Sequence, residues 1–293
     1  MKNSRSVELV VAPREPHWVG DGFQVHNFIP SGPRLDMYRM DPFILLDYNA
    51  KHDFAPSLSP RGVGVHPHRG FETVTFAYQG KVEHHDSSGG GGVIQEGDVQ
   101  WMTAASGVLH KEFHETEWSK KGGPFQMVQL WVNLPAKYKM SAPKYQAIKN
   151  ADIPSYPIDD LGSKVEVIAG EYRGIKGSAT TFTAMHVYNV SLKEGTKFDL
   201  TLPSHFNTVV LTVEGKILLN DADTVPSDYL ALMANDGEQF SLEALSDAKF
   251  LVLSGEPIKE PIAAHGPFVM NTRQELMQAF EDFNNGKFGY LED

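Results

Sequence analysis

His66 and His68 are separated by one residue, and His110 and Glu112 repeat that spacing further along the chain. On a β-strand, residues i and i+2 share a face about 6.6 Å apart, so each pair would aim two ligands at one point. Three imidazoles and one carboxylate make a mixed nitrogen and oxygen donor set. It suits one divalent transition metal: Fe(II), Mn, Co, Ni, Cu or Zn.

The neighbours of these four residues compete for roles. Glu72 shares strand parity with His66 and His68, but in a straight strand it lies about 13 Å beyond His68. Only a bend at Gly70 would bring it back. Glu112 needs no bend, so it is the expected ligand and Glu72 the expected support that orients a histidine. His114 continues the parity of His110 and Glu112. It reads as a flared, solvent-exposed strand end in preference to a fifth ligand. His84 and His85 precede Asp86 and the run SSGGGG (87–92), which reads as a flexible loop at a pocket rim. His85 is taken as structural. Arg69 is expected near the pocket mouth, Trp101 and Met102 in the core, and Gly107 in the turn that starts the second ligand strand.

Short β-prone runs separated by Gly, Pro, Asn and Asp must position these residues. Examples are Val7–Val11, Phe23–Ile29, Phe43–Asp47, Thr73–Tyr78, Gln126–Asn133, Lys164–Ile168, Thr208–Val213, Lys216–Leu219 and Phe250–Leu253. This spacing predicts an all-β protein of sandwiches or barrels. A C-terminal helix is also predicted. Thr272 and Glu275 form a capping box, Leu276, Phe280 and Phe283 fall on one face, and Gly286 supplies the stop.

Prolines 135, 143, 154 and 157 mark a weak stretch, which predicts domains over 1–140 and 141–293. The halves look alike: FETVTFAYQGKV (71–82) parallels FNTVVLTVEGKI (206–217), as if one barrel had been duplicated. Counting back from the turn glycines Gly80 and Gly215, Thr201 and Pro203 fall where His66 and His68 stand. One metal site, in the first half, is expected.

The chain has 293 residues, 41% hydrophobic and 22% charged, as in an ordinary globular protein. It has no cysteine, which rules out disulfides, thiolate metal sites and a cysteine nucleophile. The net charge of −11 argues against direct nucleic-acid binding, which needs a basic face. No run of 18 apolar residues predicts a membrane span. The opening MKNSRSVELVVAPREP lacks a signal-peptide pattern, so a cytoplasmic location is expected.

Six blocks together resemble the pirin family of the cupin superfamily: DPFILLD (41–47), HPHRGFETVTF (66–76), GDVQWMTAASGVLHKE (97–112), QLWVNLP (129–135), SGEPIKEP (254–261) and HGPFVMNT (265–272). The resemblance implies a bicupin, two antiparallel jelly-roll-like barrels facing one another, with metal only in the N-terminal one. It implies His66, His68, His110 and Glu112 as ligands and favours Fe(II). Some pirins are reported as quercetin 2,3-dioxygenases. That implies a small aromatic enol of flavonol type and dioxygen as partners, with Glu112 as proton acceptor. Others resemble regulators, which implies as the alternative a redox-dependent protein that binds a transcription factor or metabolic enzyme.

Overall fold

The computed structural model describes residues 4–292. It divides the chain into two compact units. One holds Glu15–Arg39, Phe43–Ala151 and the C-terminal stretch from Ile258; the other holds the N-terminal stretch to Arg14, Met40–Pro42 and Asp152–Pro257. The units therefore cross the linear halves 1–140 and 141–293: the C-terminal helix groups with the strands of the first half, and Val7–Val11 with those of the second.

Each unit is a jelly-roll-like pair of antiparallel sheets. In the first, a seven-stranded sheet runs in the order Lys144–Ile148, Val99–Thr103, Phe71–Gln79, Gly123–Asn133, Phe43–Phe54, Phe23–Ile29, His17–Val19. A four-stranded sheet runs Gly62–His68, Val108–His114, Lys81–Asp86, Gly91–Gln95. The second unit repeats this plan. Its large sheet runs Val7–Val11, Leu230–Met233, Asn207–Glu214, Ala248–Gly255, Met185–Leu192, Lys164–Ala169, Ser155–Pro157. Its small sheet runs Lys197–Thr201, Gln239–Ala244, Lys216–Leu219, Asp223–Pro226.

The internal likeness seen in the sequence has a structural meaning. Phe71–Gln79 and Asn207–Glu214 are both third in their large sheets. Gly80 (φ +84°) and Gly215 (φ +76°) then turn the chain into the small sheet, a conformation open to glycine at no steric cost. The barrels differ in their filling. In the second unit, Phe198, Leu200, Leu202, Phe240, Leu242 and Phe250 belong to one continuous apolar core. In the first, the strands at the places of Lys197–Thr201 and Gln239–Ala244 carry His66, His68, His110 and Glu112 instead.

The helix spans Arg273–Asn284, and its capping box is complete: the Glu275 N–H donates to Thr272 Oγ1 and the Thr272 N–H to Glu275 Oε2. Leu276 and Phe280 pack with Phe268, Ala279 and Phe288, and Leu109 of the second ligand strand joins the same cluster. Among the described residues, no helix is long and apolar enough to cross a membrane.

Candidate metal centre

The ligand strands Gly62–His68 and Val108–His114 are antiparallel neighbours, with His110 opposite His66 and Val108 opposite His68. The register slips between His110 and Glu112, so that Glu112 pairs with Val63. A bulge of this kind re-aims side chains beside a site. Ring centroids of His66 and His110 are 4.1 Å apart, and those of His68 and His110 4.6 Å.

The candidate ligand atoms form two overlapping groups. His66, His68 and His110 make one; His84, His110 and Glu112 make the other. In each, the atoms lie within 4.8 Å of one another. Metal–nitrogen bonds of about 2.1 Å need donor separations of about 3 to 4 Å, so a shift of several tenths of an ångström closes the first group on an ion. His110 is the member common to both, and Glu112 joins the other two histidines only through it.

The hydrogen bonds of the imidazoles are compatible with metal coordination. His66 Nδ1 lies 2.8 Å from the Gly64 carbonyl and His68 Nδ1 3.4 Å from that of Pro267, which puts a proton on each Nδ1 and leaves Nε2 as donor. His110 Nε2 is buried without a hydrogen-bond partner among the described residues. A buried polar atom left so is costly unless something binds it, and a metal would. Burial, then the charges of neighbouring histidines, push His68 and His110 well below the usual imidazole range. Both therefore present the neutral form that coordinates metal.

Glu112 is held from the opposite sheet. Gln100 Nε2 donates to its Oε1 at 3.1 Å and Gln129 Nε2 to its Oε2 at 3.0 Å. The amides cannot flip without loss. The Tyr145 hydroxyl donates to Gln100 Oε1 at 3.3 Å and the Thr75 hydroxyl to Gln129 Oε1 at 2.6 Å, which turns both NH2 groups toward Glu112. Burial, then the Glu112 and Asp86 carboxylates, push the Tyr145 phenol above its ordinary range, so it remains a donor.

The other expected roles sort by geometry. Gly70 (φ +92°) does bend the chain, but the bend sends Phe71–Gln79 into the large sheet. There Glu72 Oε1 accepts from the Thr103 hydroxyl at 2.7 Å, and Glu72 is in neither ligand group. His114 is not an exposed strand end. It is fully buried among Phe23, Phe54, Trp118 and Phe125, with Nε2 2.8 Å from the Gly22 carbonyl, and burial pulls its pKa down to about 4. Arg69 is not at a pocket mouth either. Buried, it pairs with Asp282 at 2.8 Å, donates to the Ser106 carbonyl and lies over the Phe288 ring. Trp101 and Met102 are core residues, as expected.

The glycine run after His84 and Asp86 reads as a flexible loop at a pocket rim. Yet both residues lie in the strand Lys81–Asp86 and are buried, with His84 opposite Glu112 and Asp86 opposite His110. His84 stacks on Tyr145 with centroids 5.2 Å apart and planes 13° from parallel. The alternation of Val82, His84 and Asp86 was the available signal. His85, of opposite parity, is exposed and bonds to Glu83.

A pirin family model matches residues 22–132, and one for the pirin C-terminal cupin domain matches residues 187–289. This chain belongs to the pirin family. It is 49% identical over 272 residues to a Pseudomonas aeruginosa protein provisionally named a quercetin 2,3-dioxygenase, covering 93% of this chain and 94% of that one. A pirin-like protein of Solanum lycopersicum is 38% identical over 275 residues, covering 92% and 89%. The crystal structure of a quercetin 2,3-dioxygenase from Acinetobacter baumannii is similar with a TM-score of 0.93 at 51% identity, covering 99% of this chain and all of that one. Two cupin domains on one pirin chain account for the repeated sheet plan.

Proposed function

We propose that this pirin is an iron-dependent dioxygenase acting on flavonol-type, quercetin-like substrates, with His66, His68, His110 and Glu112 as the ligands of one Fe(II). The observation that carries the reading is the buried Nε2 of His110, without a hydrogen-bond partner among the described residues, on a ring grouped with His66 and His68. The names borne by the P. aeruginosa and A. baumannii relatives direct it to this chemistry. When bound, such a metal lowers the pKa of an enolic hydroxyl and stabilises its anion.

The protein supplies the rest. His66 and His68 offer Nε2 with Nδ1 held at a backbone carbonyl, and burial keeps His68 and His110 neutral. Glu112 is the only carboxylate of the two groups. The Thr75 hydroxyl, 3.3 Å from Oε1, gives its proton to Gln129 Oε1 at 2.6 Å, so each carboxylate oxygen keeps one lone pair beyond its amide donor, one for the metal and one for the substrate's hydroxyl proton. Gln100 and Gln129 keep the carboxylate aimed while it does so.

The test is anaerobic loading with Fe(II), followed by addition of quercetin and dioxygen. Oxygen uptake with release of carbon monoxide is expected, and Glu112→Gln should lower kcat by about 10² to 10⁴. Stoichiometric iron without turnover would remove the dioxygenase reading and leave a metal-dependent regulator. Repeating the assay with Mn, Co, Ni, Cu and Zn identifies the competent metal.

A further inference from the structure

The carboxylate of Asp86 divides its work. Oδ1 accepts from the Ser88 N–H at 2.8 Å, the Ser88 hydroxyl at 2.5 Å and the Gly90 N–H at 3.0 Å, which closes the serine–glycine run into a tight turn. Oδ2 is left for His84 Nε2, 3.3 Å away. On the other side of the ring, His84 Nδ1 lies 3.4 Å from His110 Nδ1. All three side chains are buried. The sequence cannot easily relax here: a Cβ on Gly90 would stand 2.3 Å from Asp86 Oδ2 and 2.8 Å from the Tyr145 Cβ.

We propose that Asp86 and His84 are positioning residues that set the tautomer of His110, so that its Nε2 carries a lone pair and not a proton. A carboxylate oxygen can only accept, so His84 Nε2 must hold the proton between them. With the ring proton so placed, His84 Nδ1 accepts, and His110 donates its Nδ1 proton to it. His110 Nε2 is thereby bare and faces His66 and His68. Each bond also pushes electron density toward that nitrogen, extending by one imidazole the familiar carboxylate-to-histidine support of a metal ligand. The inference rests on the metal centre proposed above but not on its reaction.

Substitution at Asp86 separates this role from mere turn-building. In Asp86→Asn the turn still demands an oxygen at the Oδ1 place, so the amide nitrogen takes the Oδ2 place and donates to His84 Nε2. Both following bonds reverse and His110 Nε2 acquires the proton. Asp86→Ala breaks the turn but leaves the His84 ring undirected. The expected result is that Asn costs about 10- to 100-fold in Ni(II) and Fe(II) affinity, measured by competition with a chromophoric chelator, and more than Ala does. Thermal stability should fall in the opposite order, Ala below Asn. Wild-type affinity in Asp86→Asn, or a greater loss with Ala, would overturn the proposal.

Nitrogen-15 NMR of the wild-type histidines reads the tautomers directly, with and without Zn(II), and needs no variant to fold. A protonated Nδ1 on His110 with a protonated Nε2 on His84 is expected; the reverse pattern would overturn the proposal. A wild-type protein that shows those tautomers yet binds none of these metals would remove the metal centre while leaving the hydrogen-bond chain intact.

Discussion

Glu72 and Glu112 are buried carboxylates in opposite surroundings. Glu112 has an amide donor on each oxygen. Glu72 accepts from the Thr103 hydroxyl, and the Trp101 indole also favours its charged form, but burial outweighs both and raises its pKa to about 7. An acid whose pKa is higher folded than unfolded contributes stability that is complete below about 4.5 and lost as pH rises through about 7. Over that window the chain should lose up to about 3 kcal/mol from this residue. Glu72→Gln, which cannot ionise, should remove that part of the slope, so the variant gains on the wild type between pH 4.5 and 7. Urea melts at both pH values check it, and parallel slopes for the two proteins would refute it. Strand parity was enough to bring His66, His68 and His110 together in the sequence as candidate ligands, since i and i+2 share a face, while the bulge that sets Glu112 was not visible there. Parity could not find Gln100, Gln129 and Thr75, which reach Glu112 from three strands of the opposite sheet. Nor did it place His114, whose aromatic cage is assembled from Phe23, Phe54, Trp118 and Phe125.

The turn that launches the second ligand strand joins two elements. Gly107 has φ +125°, and a Cβ there would stand 2.6 Å from the Phe288 ring just beyond the C-terminal helix. The same ring lies against the guanidinium of Arg69, the residue that follows His68. Gly107→Val therefore meets both a backbone penalty and a clash, together about 1 to 3 kcal/mol or more. Leu109 and His110 follow directly, so displacement of the turn should also weaken metal binding. A lowered melting temperature of the metal-free variant together with weaker Ni(II) binding is expected; unchanged binding would show that His110 is placed independently of the turn. The helix itself was legible, since its capping box is a local signal. Its docking place was not, because Leu109, which joins its apolar cluster, lies more than 160 residues before it. The SSGGGG run misled for a related reason. Glycine marks a chain free to turn, but three donors to Asp86 Oδ1 make this turn a fixed one.

The two units show what a barrel interior can hold. Duplication was visible in FETVTFAYQGKV and FNTVVLTVEGKI because the strand, the turn glycine and the lysine recur together. The crossing of the termini between units was not, since nothing local in Val7–Val11 names Leu230–Met233 as its partner. Where the first barrel carries imidazoles, the second has Leu200, Leu202, Phe240 and Leu242, so among the described residues the side-chain groups that could hold a metal lie in the first unit. A ligand that binds the native state stabilises it by about 2.7 kcal/mol at 100 times Kd, near 100-fold in the opening equilibrium. That gain reaches those amides whose exchange requires the bound unit to open. Saturating metal should therefore slow hydrogen exchange by up to about 100-fold in Gly62–His68, Lys81–Asp86 and Val108–His114. Lys197–Thr201 and Gln239–Ala244, their counterparts, should exchange as before. Equal slowing in both sets would contradict a single centre in the first unit. Loss of the effect in His66→Ala or His110→Ala would assign it to the proposed ligands and not to metal bound loosely at the acidic surface.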